Sequence, residues 1–336
     1  MLSNKSILVT GGTGSFGQKF ISYILHAYPK IKKIIIFSRD EFKQHLMQEK
    51  YKQSKFFKKL RFFLGDLRDK ERLAVAFEGV DLIIHAAALK QVPAAEYNPI
   101  EFIKTNVIGT QNLVECAITT GVKKVIALST DKACSPINLY GATKLCADKL
   151  VTSANNIAGK KKISLSVVRY GNVINSRGSI VPLLLDQKNN NQVFTITDKK
   201  MTRFSITLKE GVEAVVWAIK NCIGGEIVVP QIPSYNLSTL IKAIDAKNKV
   251  KIIGIRHGEK IHEEMIIPSD SRLTVEIKKY FLIAPNQKVK DQLIKKYKAK
   301  NVENNFHYKS DTNSKFLNIN ELRKIIFNET GYRFIK

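Results

Sequence analysis

The sequence predicts an α/β protein: a doubly wound parallel sheet followed by a smaller α/β substrate-binding domain. Three observations lead there. Short apolar runs rich in Val and Ile alternate with amphipathic stretches through the first half of the chain. A glycine-rich turn separates the first run from the first amphipathic stretch, and the alternation breaks after Tyr170. Runs that are apolar throughout, such as Ile34-Ile35-Ile36, suit strands covered on both faces. Strand–helix alternation of this kind implies crossover helices on a parallel sheet.

Taken in order, Ser6–Thr10 reads as a strand, 16–25 as a helix, Lys33–Ser38 and 61–64 as strands, and Lys70–Phe77 as a helix. A strand at 81–85 precedes one long helix at 99–119; a strand at 124–129 precedes a helix at 140–155, and 163–169 is the next strand. Beyond Tyr170 come shorter strands, Pro-containing loops and an isolated helix at 208–220. The expected division is 1–170 for a nucleotide-binding domain and 171–336 mainly for substrate, with the chain returning to the first domain near 205–230.

The 336 residues carry 55 Lys+Arg against 29 Asp+Glu, a formal charge of +26. The lysines are scattered, denser at 50–61 and 295–300, and read as a solvated surface whose positive field favours an anionic pyrophosphate substrate. No nucleic-acid module accompanies them, so no nucleic-acid partner is expected. Cys116, Cys134, Cys146 and Cys222 have no paired spacing, which points to reduced thiols and no metal site. Strand-like sequence from Ser6 leaves no room for a signal peptide, and no apolar run approaches the ~20 residues that cross a bilayer. A cytoplasmic, unanchored protein is expected.

Thr10-Gly11-Gly12-Thr13-Gly14-Ser15-Phe16-Gly17 lies between the first strand and first helix. Gly11, Gly14 and Gly17 allow a tight turn, close approach of a pyrophosphate and close helix–strand packing, the pattern of a Rossmann dinucleotide site. The helix N-terminus that follows offers free N–H groups to the anion. The second strand decides the cofactor. It ends Phe37-Ser38-Arg39, with Asp40 only afterwards. Arg39 can fork onto a 2′-phosphate with Ser38 and Lys43 in support, which favours NADP over NAD. Asp66, followed by Leu67, can receive the adenine amino group, and Ala86 lets backbone lie against the cofactor.

Tyr140 and Lys144 stand four residues apart on a helix, hence on one face. A Lys⁺ beside a phenol favours the phenolate and suits it to take a hydroxyl proton. Thr130-Asp131-Lys132 directly follows the 124–129 strand, where ligand crevices form in such sheets. Thr130 can steady a substrate oxygen. The acid and amine beside it exceed what a simple dehydrogenase needs and suit a β-elimination, in which one group takes a proton from carbon and another protonates a departing hydroxyl.

With Arg169-Tyr170-Gly171-Asn172-Val173, these segments resemble the extended short-chain dehydrogenase/reductase group. More narrowly, they resemble the soluble, inverting UDP-N-acetylglucosamine 4,6-dehydratases that begin pseudaminic acid synthesis for flagellin glycosylation. His85-Ala86-Ala87-Ala88-Leu89-Lys90, Met201-Thr202-Arg203-Phe204 and Arg256-His257-Gly258-Glu259-Lys260 extend the likeness over nearly the whole chain; it thins between Asp270 and Asn305. The resemblance implies a hydro-lyase with NADP. Tyr140 takes the proton of the 4-hydroxyl, Lys132 that of carbon-5, and Asp131 protonates the leaving 6-hydroxyl; hydride goes out and back within one turnover. It further implies substrate contacts from Lys90, Asn172, Val181, Thr195, Arg203, Arg256 and Glu259, and cofactor contacts from Thr13, Ser15, Phe16, Arg39, Lys43, Asp66, Leu67, Ala86, Lys90, Tyr140, Lys144 and Asn172. A homo-oligomer is expected, the 99–119 and 140–155 helices offering a dimer face. Tyr140 separates this branch from the dehydratase/5-epimerases of capsule synthesis, which tend to lack it. Two rivals stay open: a UDP-hexose 4-epimerase, which needs no acid–base pair at 131 and 132, and a non-catalytic NADP-binding regulator. Cys134 beside the catalytic loop suggests sensitivity to thiol reagents.

Overall fold

A computed structural model describes residues 2–176 and 178–334. Each apolar run becomes a strand and each amphipathic stretch the helix covering it: β1 (Ser6–Thr10), α1 (Ser15–Ala27), β2 (Lys33–Ser38), α2 (Glu41–Tyr51), β3 (Leu60–Leu64), α3 (Lys70–Phe77) and β4 (Leu82–His85). The helix α2 escapes the apolar pattern because it buries little beyond Gln44, Met47 and Tyr51; Asp40 starts it, its side chain accepting from the Lys43 N–H.

The expected long helix is three pieces after a short α4 (Val92–Tyr97): α5 (Pro99–Phe102), a π-helical stretch at Ile103–Ile108, and α6 (Gly109–Thr119). The wide turn carries Asn106 inward. Its carboxamide accepts from the Leu89 N–H at 2.8 Å, and donates to the Leu89 carbonyl at 2.9 Å and the Thr143 hydroxyl at 3.1 Å. π-Turns of this kind mark functional places in helices. The series continues through β5 (Lys124–Thr130), α7 (Leu139–Ile157) and β6 (Ser164–Tyr170).

After Tyr170 the elements shorten: β7 (Asn172–Val173), α8 (Ile180–Asn189), β8 (Phe194–Ile196), β9 (Thr202–Ile206), α9 (Leu208–Asn221), β10 (Ile227–Pro230), β11 (Ser234–Asn236), β12 (Val250–Ile252) and β13 (Glu264–Ile266). Then follow β14 (Thr274–Ile277), β15 (Tyr280–Ile283), β16 (Lys300–Asn301) and β17 (Tyr308–Lys309).

The main sheet has ten strands in the order β16-β14-β15-β10-β6-β5-β4-β1-β2-β3. From β3 to β10 neighbours run parallel, whereas β15, β14 and β16 are antiparallel. Two features differ from the sequence reading. The sheet is mixed at one edge, and residues 274–301, read with the substrate half, complete it. A hairpin with only Lys278 and Lys279 between its strands needs no crossover helix, so strand–helix alternation gives no sign of it.

A second core lies apart, where Val181, Leu184, Phe194, Tyr235, Leu240 and Ile326 pack together. Strand order reverses between β1 and β4, and the carboxyl ends there open onto a crevice that the second core roofs. Among the described residues no helix is long and apolar enough to cross a membrane.

Candidate active site

The crevice is a cavity of about 810 Å³, lined at one end by the glycine turn and at the other by α8, β8 and the 256–263 segment. Gly11, Thr13, Gly14, Ser15, Phe16 and Gly17 line it beside Ala86. Gly11 has φ +65, and a Cβ there would lie 2.9 Å from Ala87 Cα, so backbone from two strand ends meets where only glycine fits. This bare backbone at a helix start fits a dinucleotide pyrophosphate.

Ser38, Arg39, Asp40, Lys43, Asp66 and Leu67 line the cavity as well. Arg39 is half exposed and its guanidinium lies 3.9 Å from Asp66. Asp66 is gripped by Arg68, whose backbone N–H, Nε and terminal nitrogen donate to it at 3.0, 3.1 and 2.7 Å. The sequence reading missed Arg68. Gln44 donates to the Ser38 hydroxyl at 3.1 Å, and Lys43 pairs with Asp40.

Behind this rim, a buried chain ties β1 to β4 and α6. The Thr10 hydroxyl accepts from the Ala86 and Ala87 N–H groups at 3.1 and 3.2 Å, so it donates to His85 Nδ1 at 2.9 Å. The Thr110 hydroxyl donates to the Asn106 carbonyl, leaving it to accept from His85 Nε2–H at 3.0 Å. The imidazole is therefore neutral. Burial, assisted by the Lys144 charge, pushes its pKa down from 6.5 to about 3. Between those values the unfolded state binds the extra proton, so stability is full above pH 6.5 and falls as pH drops toward 3. Urea unfolding from pH 7 to 4 should show a loss approaching ~1.4 kcal/mol per pH unit from this group. A His85→Gln variant should show a flatter slope, and an unchanged slope would remove His85 as its source.

At the end of β5 the residues expected to serve an elimination converge. Asp131 is buried; its Oδ1 accepts from the Thr130 hydroxyl at 2.9 Å and from Lys132 Nζ at 3.0 Å, while Oδ2 has no hydrogen-bond partner. Lys132 Nζ also lies 3.1 Å from Oε1 of Glu263, a buried carboxylate that nothing in the local sequence marks. Burial pushes the Asp131 carboxyl up, with Lys132 opposing. Burial pulls Lys132 down, but Asp131 and Glu263 outweigh it and raise its pKa.

Tyr140 and Lys144 lie on one face of α7, both buried and both lining the cavity. The phenol departs from the expectation of a lowered pKa. Burial raises it to about 12, against the Lys132 charge and a hydrogen bond with Thr130. Lys144 Nζ donates to the Leu128 carbonyl at 2.8 Å, and burial lowers its own pKa despite Asp148. Beneath them, Ser129 and Arg169 both donate to Asp148, at 2.7 and 3.2 Å. Gly141 lets α7 touch the turn after β5, since a Cβ there would stand 2.2 Å from the Lys132 carbonyl oxygen.

On the substrate side, Lys90, Asn172, Thr195, Arg203, Arg256 and Glu259 line the cavity. The Asn172 Oδ1 is buried without a partner and suits a ligand donor. The Arg203 guanidinium already serves the protein, donating to the Thr202 and Ile261 carbonyls at 2.8 Å and lying 3.7 Å from Glu259. Val181 is the exception. Its side chain turns into the second core, because Ile180 and Leu183 occupy the cavity face of α8. Cys134 is also corrected: it is buried, and desolvation pushes its thiol up to about 12, which leaves too little thiolate for ready alkylation.

Comparison with known proteins matches residues 7–285 to the polysaccharide biosynthesis protein family. The inverting UDP-N-acetylglucosamine 4,6-dehydratase of Campylobacter jejuni is 49% identical over 341 residues, covering 99% of this chain and 100% of that protein. The UDP-glucose 4-epimerase of Rickettsia conorii is 40% identical, covering 84% of each. Pen from Bacillus thuringiensis superposes with a TM-score of 0.88 at 36% identity, over 97% of this chain and 99% of that one. The dTDP-glucose 4,6-dehydratase DesIV from Streptomyces venezuelae, solved with NAD and TYD, shares the fold with a TM-score of 0.67 at 23% identity over 76% and 86% of the chains. The chain belongs to the polysaccharide biosynthesis protein family and carries the extended short-chain dehydrogenase/reductase fold.

Proposed function

We propose that the protein is an NADP-dependent UDP-N-acetylglucosamine 4,6-dehydratase that inverts carbon-5, a hydro-lyase opening pseudaminic acid synthesis for flagellin glycosylation. The observation that carries this reading is the buried Asp131–Lys132 pair facing the same cavity as Tyr140 and Lys144. The 49%-identical Campylobacter dehydratase supports it.

When bound, the nicotinamide supplies a hydride acceptor at carbon-4 and a hydride donor at carbon-6. The chain does the proton work. Tyr140 takes the 4-hydroxyl proton, with Thr130 holding the phenol and Lys144 nearby. Lys132 removes the proton on carbon-5, acidified by the adjacent ketone. Asp131, whose carboxyl burial pushes toward holding a proton, gives one to the leaving 6-hydroxyl. Arg203 and Arg256 face the substrate pyrophosphate, and Asn172 offers its free carboxamide oxygen. The product is UDP-2-acetamido-2,6-dideoxy-β-L-arabino-hex-4-ulose. An epimerase of the Rickettsia kind is the second reading, and it leaves Asp131 and Lys132 without a task.

The test incubates the protein with UDP-N-acetylglucosamine in heavy water without added reductant. Loss of one water with deuterium at carbon-5 is expected; an unchanged mass with a new hexose isomer would mean an epimerase. NADP preference rests on Arg39. Replacing Arg39 with Ala should remove charge-assisted bonds worth ~1.5–3 kcal/mol, weakening NADP about tenfold or more in calorimetry and sparing NAD. Equal weakening of both cofactors would end the case for a 2′-phosphate site. The exposed side chains of Tyr97, Ile100 and Ile108 support a homo-oligomer, since a second copy would cover them. The free cysteines suit a reducing cytoplasm.

A further inference from the structure

The proposed mechanism asks Lys132 to act as a base, yet its surroundings hold it as an ammonium. Its Nζ sits between two carboxylates, 3.0 Å from Asp131 Oδ1 and 3.1 Å from Glu263 Oε1. A lysine so flanked has no lone pair to offer carbon-5 until one neighbour takes its proton. Asp131 is committed elsewhere, because its own proton leaves with the 6-hydroxyl. Glu263 is the remaining acceptor in contact with Nζ.

We propose that Glu263 is a positioning residue of the elimination, whose carboxylate accepts the Lys132 ammonium proton so that the freed amine can remove the carbon-5 proton. The role rests on the dehydratase reading above and adds to it a residue from a distant part of the chain.

The carboxylate is built to do this. Glu263 is anchored through its backbone: its N–H donates to the Ser310 hydroxyl at 2.8 Å, and the Ser310 N–H donates to the Glu263 carbonyl at 2.8 Å. Its second oxygen, Oε2, is buried without a partner, so nothing competes for the carboxylate from behind. The charged groups facing it are Lys132, Asp131, Arg203, with Nε at 3.8 Å, and Lys260, beside the phenol of Tyr235. Burial pushes the Glu263 carboxyl up, but Lys132 and Arg203 outweigh it and keep it ionised, the reverse of Asp131. The two buried carboxylates on one amine thus differ: Asp131 is shifted toward holding a proton, whereas Glu263 is ionised and is the one in contact with Nζ that has a proton still to gain.

The protons balance. The N–H bond of Lys132 breaks as an O–H bond forms on Glu263, leaving a neutral amine and a neutral acid. The amine takes the carbon-5 proton, the C–H electron pair becomes the C5–C6 double bond, and the C6–O bond breaks as Asp131 protonates the departing oxygen. Two protons leave the sugar, from the 4-hydroxyl and carbon-5. Two return, one in the released water and one at carbon-5.

The test is Glu263→Gln, with Glu263→Asp beside it. Readouts are turnover, KM, deuterium entry at carbon-5, and the pH profile. With Gln the expected result is a KM near wild type, turnover and deuterium entry about 10²-fold slower, and a rate that climbs with pH as solvent takes over deprotonating Lys132. The Asp variant should lose less and keep the wild-type profile. If Glu263 merely raised the Lys132 pKa, Gln would free the amine and leave the reaction as fast or faster; that outcome overturns the proposal. Should the Gln variant fail to fold by melting temperature, Glu263→Met, of like size but without a carboxylate, decides, and a wild-type rate there overturns it. A wild-type protein that releases no water from the sugar would fail the dehydratase reading, and the Glu263 role with it.

Discussion

Lys132→Ala should stop dehydration, lowering turnover by ~10³-fold or more, while the protein stays folded and still binds nucleotide sugar. In the proposed mechanism Lys132 supplies the base for carbon-5; in the structure it is also the counter-charge between Asp131 and Glu263. Its removal leaves two buried carboxylates facing each other, and both cannot stay ionised. One will take a proton, which limits the stability cost and gives the variant a different pH dependence. The Lys132 side chain is 24% exposed toward the cavity, so water can enter the space it leaves. Product mass and proton NMR decide the matter. A variant that still releases water within tenfold of wild type would remove Lys132 from the mechanism. A variant that interconverts hexose isomers unimpaired would favour the epimerase, whose chemistry at carbon-4 has no use for this amine.

The part of this site legible in the sequence is the part whose residues are close in the chain. The glycine turn, Thr130-Asp131-Lys132 and Tyr140 with Lys144 are each set by one strand end or one helical turn, so spacing alone places them on the cavity. Glu263 lies far from Lys132 in the chain and reaches it only through the fold. Arg68 lies next to the Asp66 segment, but its grip on Asp66 depends on a loop shape that no period encodes. Asn106 was hidden by the regular apolar spacing of its helix, which does not reveal a π-turn. Val181 shows the opposite failure. A position carried over by resemblance says nothing about which way its side chain points, and one step along α8 separates the cavity face from the core. The antiparallel edge of the sheet was missed because hairpin strands of four residues resemble loops.

Tyr140→Phe should remove the first chemical event and with it all later ones, again by ~10³-fold or more in turnover. The ring is buried among Ala95, Phe102 and Leu89, so loss of one oxygen leaves the packing of α7 intact, and melting temperature should barely change. Burial holds the phenol near 12, so at neutral pH it carries its proton in the free protein. Taking the 4-hydroxyl proton therefore requires the pKa to fall once the site is filled; the Lys132 charge already lowers it, and a bound oxidised nicotinamide would add a second positive charge. Ultraviolet titration of phenolate offers a readout independent of turnover. Tyr235 and Tyr280 also ionise near 12, so the difference between wild type and the Phe variant isolates Tyr140, and that difference should move down in pH on adding oxidised cofactor. The variant should also yield no reduced cofactor and no 4-keto sugar in a single turnover, because carbon-4 cannot lose hydride while its hydroxyl keeps its proton. Lys132→Ala differs at that step, since carbon-4 oxidation precedes the need for a base at carbon-5. The two variants thus divide the reaction: reduced cofactor accumulating in the Lys132 variant and absent from the Tyr140 variant would fix the order of the proton transfers, and its absence from both would place Lys132 ahead of carbon-4 oxidation.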